Sequence, residues 1–302
     1  MSGGRTPERL DHYLVRLGLA SSRRRARELI ADDRVRVNGR RFPKGASVTG
    51  DERVELMEPV PPPEILPNPT VEIPVLYEDA AVIVVNKPGL MPCHPLRAGE
   101  RDTVMNAVVA RYPETAFDAG KPLEGGLVHR LDNATSGALM IARNPAALKA
   151  LRFALRTGRV SREYHALVAG DLPRPIEILA PIAHHPKNSR KMVAVQGIDT
   201  HSGARPAITT IVPFIRQGAF TMVKALPQSG RRHQIRVHLA SIGHPLVGDG
   251  LYGGPAILDT LAPGRFWLHL ARLELNTPAR GHVQLQVPQP ADLLAAMREL
   301  GF

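Results

Sequence analysis

Asp132 stands in the run Gly126-Leu127-Val128-His129-Arg130-Leu131-Asp132-Asn133-Ala134-Thr135-Ser136-Gly137, a carboxylate with an imidazole, a guanidinium and two hydroxyls close by. Groups of these types, set between turn glycines and an apolar strand-like run, could do nucleophilic or acid–base work. An aspartate in such a loop is more commonly a turn-former, so the run alone decides little. Weight comes from a distant second stretch, Gly230-Arg231-Arg232-His233-Gln234-Ile235-Arg236-Val237-His238, dense in cations and in planar donors able to engage bases and phosphates. An arginine of that stretch brought beside Asp132 would favour the anionic carboxylate. A carboxylate of that kind beside a base-binding pocket suits attack on a nucleotide.

Other chemistries lack their residues. Gly248, Gly250 and Gly253 match G-x-G-x-x-G literally, but His244-Pro245 precedes them and Gly254-Pro255 follows. No strand leads in and no helix starts there, so a tight loop is expected rather than a dinucleotide site. There is no phosphate-binding loop, no nucleophile elbow and no glycine-rich methyl-donor loop. His184-His185 and the histidines from His233 to His244 have no carboxylate or cysteine companions at ligand spacing, so neither a metal nor a cofactor is expected. Cys93 is the single cysteine, which excludes an intrachain disulfide.

Positioning such distant stretches requires a sizeable core, and 302 residues with 43% hydrophobic content can supply one. The net charge of +11 points first to a nucleic acid and only second to an anionic membrane surface. The N-terminal residues Arg5, Glu8 and Arg9 interrupt any signal-peptide core, and no apolar run is long enough to span a bilayer. A cytoplasmic protein with no membrane partner is expected.

The clearest boundary is Glu58 to Thr70, where six prolines favour a semi-rigid extended linker. It divides the chain into residues 1–58, a linker over 59–70, and residues 71–302. In the first part Leu10, Tyr13, Leu14 and Leu17 recur at helical spacing and Gly18 can end that helix. Ser21 or Ser22 can cap a second helix carrying Ala26, Leu29 and Ile30. A hairpin follows, with Asn38-Gly39 as its turn. Ten Lys or Arg fall between Arg16 and Lys44 against three acids. Helix and hairpin should hold Arg23, Arg24, Arg25, Arg27, Arg34, Arg36, Arg40 and Arg41 on exposed positions, a phosphate-binding surface.

In the larger part, strands are expected over Val82 to Val85, Ala138 to Ala142, Glu163 to Val168, Ala207 to Pro213, Phe220 to Ala225 and Val283 to Val287. Helices are expected from a cap at Asp102 to Arg111, and over Pro145 to Arg156, Gln234 to Ile242 and Ala291 to Leu300. This mixed order predicts an α+β fold, a mixed, largely antiparallel sheet with flanking helices.

The N-terminal part resembles the S-four-type RNA-binding domain through Arg9-Leu10-Asp11, Leu14, Ser22-Arg23-Arg24-Arg25-Ala26, Leu29-Ile30 and Val35-Arg36-Val37-Asn38-Gly39. Asp33 replaces a usual glycine, and aspartate tolerates the left-handed backbone such a turn needs. The larger part resembles the RluA-type pseudouridine synthases. His129-Arg130-Leu131-Asp132-x-x-Thr135-Ser136-Gly137 is similar to their signature, and four further blocks match in order. These are Asn86-Lys87-Pro88-Gly89 with His94-Pro95, then Arg162 to Gly170, then Gly230 to Gly253, then Leu268-His269 with Leu273 and Pro278. The departures are Arg232 and Ser229 at positions usually threonine, Leu270 where alanine commonly stands, and Asn133 and Ala134 where charge is frequent. Arg232 could add a phosphate contact.

That resemblance implies an enzyme that isomerises uridine to pseudouridine in structured RNA: the C–N glycosidic bond breaks, the base turns, and C5 is joined instead. No cofactor is implied, because the bond broken and the bond made are close in energy. Asp132 would be the nucleophile or base, with Arg236 paired to it and Tyr164 stacking on the uracil and able to take the C5 proton. Arg130 would fill the space left by a flipped-out base, and Ile235 would lie beneath the ring. His129, Arg231, His233 and Gln234 would complete substrate binding. The N-terminal module favours large-subunit ribosomal RNA over transfer RNA as partner, and a monomer is expected. A non-catalytic RNA-binding protein of ribosome assembly is the reading from another class, against which the presence of Asp132 speaks.

Overall fold

The computed structural model describes residues 7–43, 45–50, 52–57, 64–195, 203–256 and 259–302. The chain divides into two units, Met1–Pro62 and Pro63–Phe302. Lys44 and the prolines at 59, 61, 62 and 63, on which part of the basic-surface and linker expectations rest, lie outside the described residues.

The first unit contains β1 (Glu8–Arg9), α1 (Leu10–Arg16), α2 (Arg23–Ala31), β2 (Val35–Val37), β3 (Arg40–Arg41), β4 (Ser47–Val48) and β5 (Val54–Leu56). Leu10, Tyr13, Leu14, Ala26, Leu29, Val35, Val37 and Val48 are the core that the helical and alternating spacings require. Of the two candidate caps Ser22 is the one used, its hydroxyl accepting from the Arg25 N–H at 3.2 Å. Asn38 and Gly39 both have positive φ (51° and 74°), as a tight hairpin turn demands, and Asp33 enters the left-handed region at φ 59°.

The expectation that this unit's arginines simply point outward needs correction. Asp11, 3% exposed, is the hub of three guanidinium groups, with Arg9 at 2.9 Å, Arg27 at 3.3 Å and Arg23 at 3.9 Å. Arg24 and Arg25 pair with Glu28, Arg41 with Asp33, and Arg34 donates to the Met57 carbonyl. Arg36 is half-buried and spends its donors on the Asp33 carboxylate and the Asp33 and Val35 carbonyls. It is a turn-holding residue. The others keep exposed edges in a fixed array, and Arg40 is exposed.

The second unit is built on one sheet. Its strands are β6 (Val75–Glu78), β7 (Val82–Lys87), β8 (Ser136–Ala142), β9 (Ser161–Ala169), β10 (Ile176–Ile178), β13 (Thr209–Gln217), β14 (Phe220–Pro227), β15 (Leu268–Thr277) and β16 (Gly281–Gln286); β11 (Ile182–His184) and β12 (Met192–Ala194) form a separate hairpin. Helices are α3 (Val104–Arg111), α4 (Pro145–Arg156), α5 (Gln234–Ser241) and α6 (Ala291–Glu299). The order is β10-β13-β14-β9-β15-β8-β7-β6, with β16 on β15, and every pairing is antiparallel except β15 with β8. The mixed, largely antiparallel sheet is as expected. Strands β7 and β8 are apolar and buried along most of their length, which marks them as central.

Two expectations fail locally. Thr103, not Asp102, caps α3, because its hydroxyl and the Asn106 side chain exchange bonds in a capping box. The longest strand, β15, went unread, because charged residues such as Arg272 and Glu274 interrupt its apolar pattern where β15 leaves β8 to pair with β16. Gly248 and Gly253 flank a one-turn helix at Gly250–Tyr252, so this glycine run is the tight loop expected. Among the described residues no helix is long and apolar enough to cross a membrane.

Candidate active site

The loop between β7's partner strand β8 and the preceding turn carries Asp132, and three buried side chains fix its backbone. Cys93 Sγ donates to the Leu131 carbonyl at 3.3 Å. Lys87, fully buried at the end of β7, donates to the carbonyls of Asn133 (2.9 Å), Met91 (2.6 Å) and Pro88 (2.8 Å). Arg265 donates to the Ala134 carbonyl and, at 2.9 Å, to Ser136 Oγ. Thr135 N–H closes the turn on the Asp132 carbonyl at 3.0 Å. Gly137 follows at φ 117°, where a Cβ would sit 2.4 Å from the Leu270 carbonyl oxygen, so β8 and β15 can approach only with glycine here. The carbonyls of residues 131, 133 and 134 are therefore held on either side of Asp132. Its position is set by the backbone.

Its carboxylate is set by α5. Arg236 Nη1 donates to Asp132 Oδ2 at 3.0 Å, while Arg236 Nε and Nη2 make a bidentate pair with buried Asp249 at 2.7 and 2.8 Å. The guanidinium also lies 5.0 Å from the Tyr252 ring centroid and 4.4 Å from that of Phe266. Burial works against its charge, but the hydrogen bonds it donates to Asp249 prevail and push Arg236 above the usual arginine range.

His233 caps α5 in the left-handed region (φ 55°), a strained setting for a non-glycine residue. It turns the ring toward the site: Nδ1 lies 2.9 Å from Tyr252 Oη and Nε2 lies 4.0 Å from Asp132 Oδ1. Tyr252 Oη already accepts the Met192 N–H at 2.8 Å, so its own proton is free for His233 Nδ1. That assignment leaves the His233 proton on Nε2, facing Asp132. Burial holds His233 down at about 4, so it is neutral at physiological pH.

These residues open on a cavity of about 840 Å³ lined also by Arg130, Tyr164, Ile235 and Arg162. Tyr164 and Ile235 are buried in its wall, and Arg130 is exposed at its mouth. Burial, with Asp132 adding to it, pushes the Tyr164 phenol up, so it enters as the neutral phenol. The cavity has two carboxylates. Glu124 is 8% exposed and already paired, with Arg152 at 3.3 Å and Lys121 at 3.5 Å; Asp132 is 25% exposed and faces the open space.

Two residues expected at the substrate line the cavity and also spend polar atoms on the frame. His129 Nε2 accepts the Met140 N–H at 3.2 Å, and burial holds the ring down at about 3. Gln234 spends its amide on Ser229, Arg231 N–H, the Ile208 carbonyl and Thr209, which shapes the turn before α5. Arg231 is half-buried with Nε on the Pro206 carbonyl. Asp249, Tyr252, Lys87, Cys93 and Arg265 were not assigned from the sequence. All but Arg265 and Cys93 lie inside matched blocks, and that was the available signal. Among the described residues, no three His, Cys, Asp or Glu side chains converge as metal ligands.

Comparison with known proteins gives the family. The model of the RNA pseudouridylate synthase family matches residues 81–241, and that of the S4 domain matches residues 8–42. The ribosomal large subunit pseudouridine synthase D of Haemophilus ducreyi is 33% identical over 304 residues, spanning 97% of this chain and 90% of its own. The protein of the same name from Escherichia coli (strain K12) is 32% identical over 299 residues, spanning 95% and 89%. An uncharacterized RNA pseudouridine synthase of Chloroflexus aurantiacus is 36% identical over 296 residues, spanning 98% and 90%. Among solved structures, human RNA pseudouridylate synthase domain containing 1 superposes with a TM-score of 0.56 at 27% identity, over 72% of this chain and 84% of that one. The block order read from the sequence, the mixed sheet and the full-length relatives converge: the chain belongs to the RNA pseudouridine synthase family, with an S4 domain ahead of the synthase part.

Proposed function

We propose that this chain converts uridine to pseudouridine in large-subunit ribosomal RNA, with Asp132 as the reacting carboxylate. The observation that carries the reading is Asp132 itself, the one cavity carboxylate with open space before it and an arginine fixing one of its oxygens. The target class follows relatives that bear the name of large-subunit enzymes. Residues 1–58 would capture RNA through the arginine array, residues 59–70 would link, with Ile65 of that stretch already in the second unit's core, and residues 71–302 would carry the chemistry, in the cytoplasm and as a monomer.

In this reading the target uridine is flipped into the cavity and Arg130 takes its place in the stack. Attack by Asp132 Oδ1 at C1′ expels N1 and leaves a sugar ester, or removal of a sugar proton by it expels N1 and leaves a glycal; the base turns; C1′–C5 forms as the carboxylate departs or the sugar proton is returned; C5 loses its proton and N1 gains one. Atoms balance without a cofactor. Tyr164, held as a neutral phenol, suits stacking against the uracil, with Ile235 beneath it. Taking the C5 proton would require it to lose its own first. Arg236 holds one carboxylate oxygen at 3.0 Å, and the neutral His233 ring stands 4.0 Å from the other.

Tritium release from C5-labelled uridine in RNA tests the activity, and Asp132→Asn tests the assignment. The substitution keeps shape and removes the anion, so release should be lost while RNA binding persists. Residual turnover within about tenfold of wild type, worth only about 1.4 kcal/mol of barrier, would refute the role of Asp132. Mapping pseudouridines in cells with and without the protein tests the target: a missing site in transfer RNA alone would replace ribosomal RNA.

A further inference from the structure

Beyond the cavity, the β11–β12 hairpin is a cationic segment of the second unit that the reaction leaves unused. From Ile178 to Val195 the chain has no Asp or Glu, and the hairpin turn holds Lys187, Arg190 and Lys191. Lys187 and Arg190 are exposed, Lys191 half-exposed, and none has an ion pair among the described residues. The arginines of the first unit, by contrast, are mostly tied to acids.

Two anchors hold the hairpin beside the catalytic residues. Arg232, expected to reach phosphate, instead donates to the carbonyls of Ser189 (3.2 Å) and Arg190 (3.3 Å) at the tip, while its neighbour His233 faces Asp132. At the base, Met192 N–H donates to Tyr252 Oη, the same hydroxyl that meets His233. Ile182 and Met192 pack against Val237 of α5. A two-stranded ribbon is marginal by itself, and this packing supplies what it lacks.

We propose that the β11–β12 hairpin is an RNA-backbone grip in its own right, with Lys187, Arg190 and Lys191 taking phosphates of the strand beside the target uridine. It rests on the reading that the substrate is RNA and adds a site to it. Cations without an ion pair among the described residues, on a ribbon braced by Arg232, fit an anionic strand passing the cavity mouth. Positioning through phosphates carries no sequence information, so this grip would set register rather than target choice.

The test uses the full chain and a short RNA stem-loop with uridines in its loop, measured for affinity at several salt concentrations. Each phosphate contact steepens the salt dependence by about 0.7 to 0.9 log units per log unit of salt. Losing three contacts in the Lys187→Ala, Arg190→Ala, Lys191→Ala variant should weaken binding and shallow the slope by about 2 to 3. Its disadvantage against wild type should then shrink roughly 20- to 40-fold on a fourfold rise in salt. Thermal unfolding controls for misfolding, and Lys187→Arg with Lys191→Arg should keep both affinity and slope. An unchanged slope in a folded triple variant would overturn the grip and leave the hairpin to an acidic protein partner. Wild type that binds the stem-loop but releases no tritium would count against the catalytic reading and not against the hairpin.

Discussion

Asp249 makes no contact with the cavity in this structure, yet it should be among the most costly residues to remove. Asp249→Ala leaves Arg236, 8% exposed, with the carboxylate of Asp132 as its remaining anionic partner. Two charge-assisted hydrogen bonds vanish, those at 2.7 and 2.8 Å, and Nε and Nη2 are left without acceptors in a buried setting. Breaking a buried ion pair by removing one partner costs about 3 to 5 kcal/mol. For a unit the size of Pro63–Phe302, each kcal/mol moves Tm by about 2 to 4 °C, so a fall of roughly 10 °C is expected. Activity should fall further than stability alone explains. Released from Asp249, the guanidinium can swing onto both oxygens of Asp132, and a misplacement of about 1 Å at a reacting group costs on the order of a hundredfold in rate. Single-turnover tritium release below the variant's Tm separates the two effects. Asp249→Glu, which keeps the charge but not the reach, should recover stability more than rate. A Tm within about 2 °C of wild type together with turnover within about twofold would show that Asp249 does not orient Arg236.

Lys87→Met should cost about 3 kcal/mol and slow turnover, since three carbonyls around the Asp132 loop lose one shared donor; unchanged melting and rate would exclude Lys87 as the loop's anchor. Burial also holds Lys87 at about 8, and the neutral amine has only two N–H groups for three carbonyls. Turnover should accordingly decline above about pH 8, and a flat alkaline limb would contradict this. His233 and His269 are each held at about 4 against an ordinary 6.5, so the unfolded chain binds more protons between these values and stability falls as pH drops through that window. At pH 5 the loss is about 2 kcal/mol for each. Calorimetry of wild type and His269→Gln between pH 7.5 and 5 checks it: identical pH slopes would refute the contribution of His269.

Much of the candidate site was legible because its residue types are concentrated in contiguous runs. Residue types alone put some arginine of the 230–238 stretch beside Asp132, the family resemblance singled out Arg236, and the structure joins the two at 3.0 Å. Elements with one clear period were also readable: the helix over Pro145–Arg156 falls where proline and apolar spacing put it. What escaped is what depends on distant partners. Nothing local distinguishes His129 facing a substrate from His129 accepting a backbone N–H of β8, and Gln234 looks like a base reader until its four partners are seen. Arg36 and Arg40 alternate in the same cationic run, yet only the fold places Asp33 under the first. Strand β15 has mixed character because it changes neighbours partway, so no single alternation describes it.

That change of neighbours bears on when the enzyme becomes competent during its synthesis. Strand β15 joins β8 to β9, and the segment leading into it supplies Arg265, which holds the loop after Asp132 from 131 residues away in the chain. Until residues 265–277 have left the ribosome, β8 and β9 cannot be joined as neighbours through β15, and the Asp132 loop lacks one of its three clasps. Such long-range pairings form late and slowly. A partly made chain can thus already display its early arginine-rich module while its Asp132 loop is still unset, and the interval is the time it takes to translate some two hundred further codons, on the order of ten to forty seconds at about 5 to 20 residues per second.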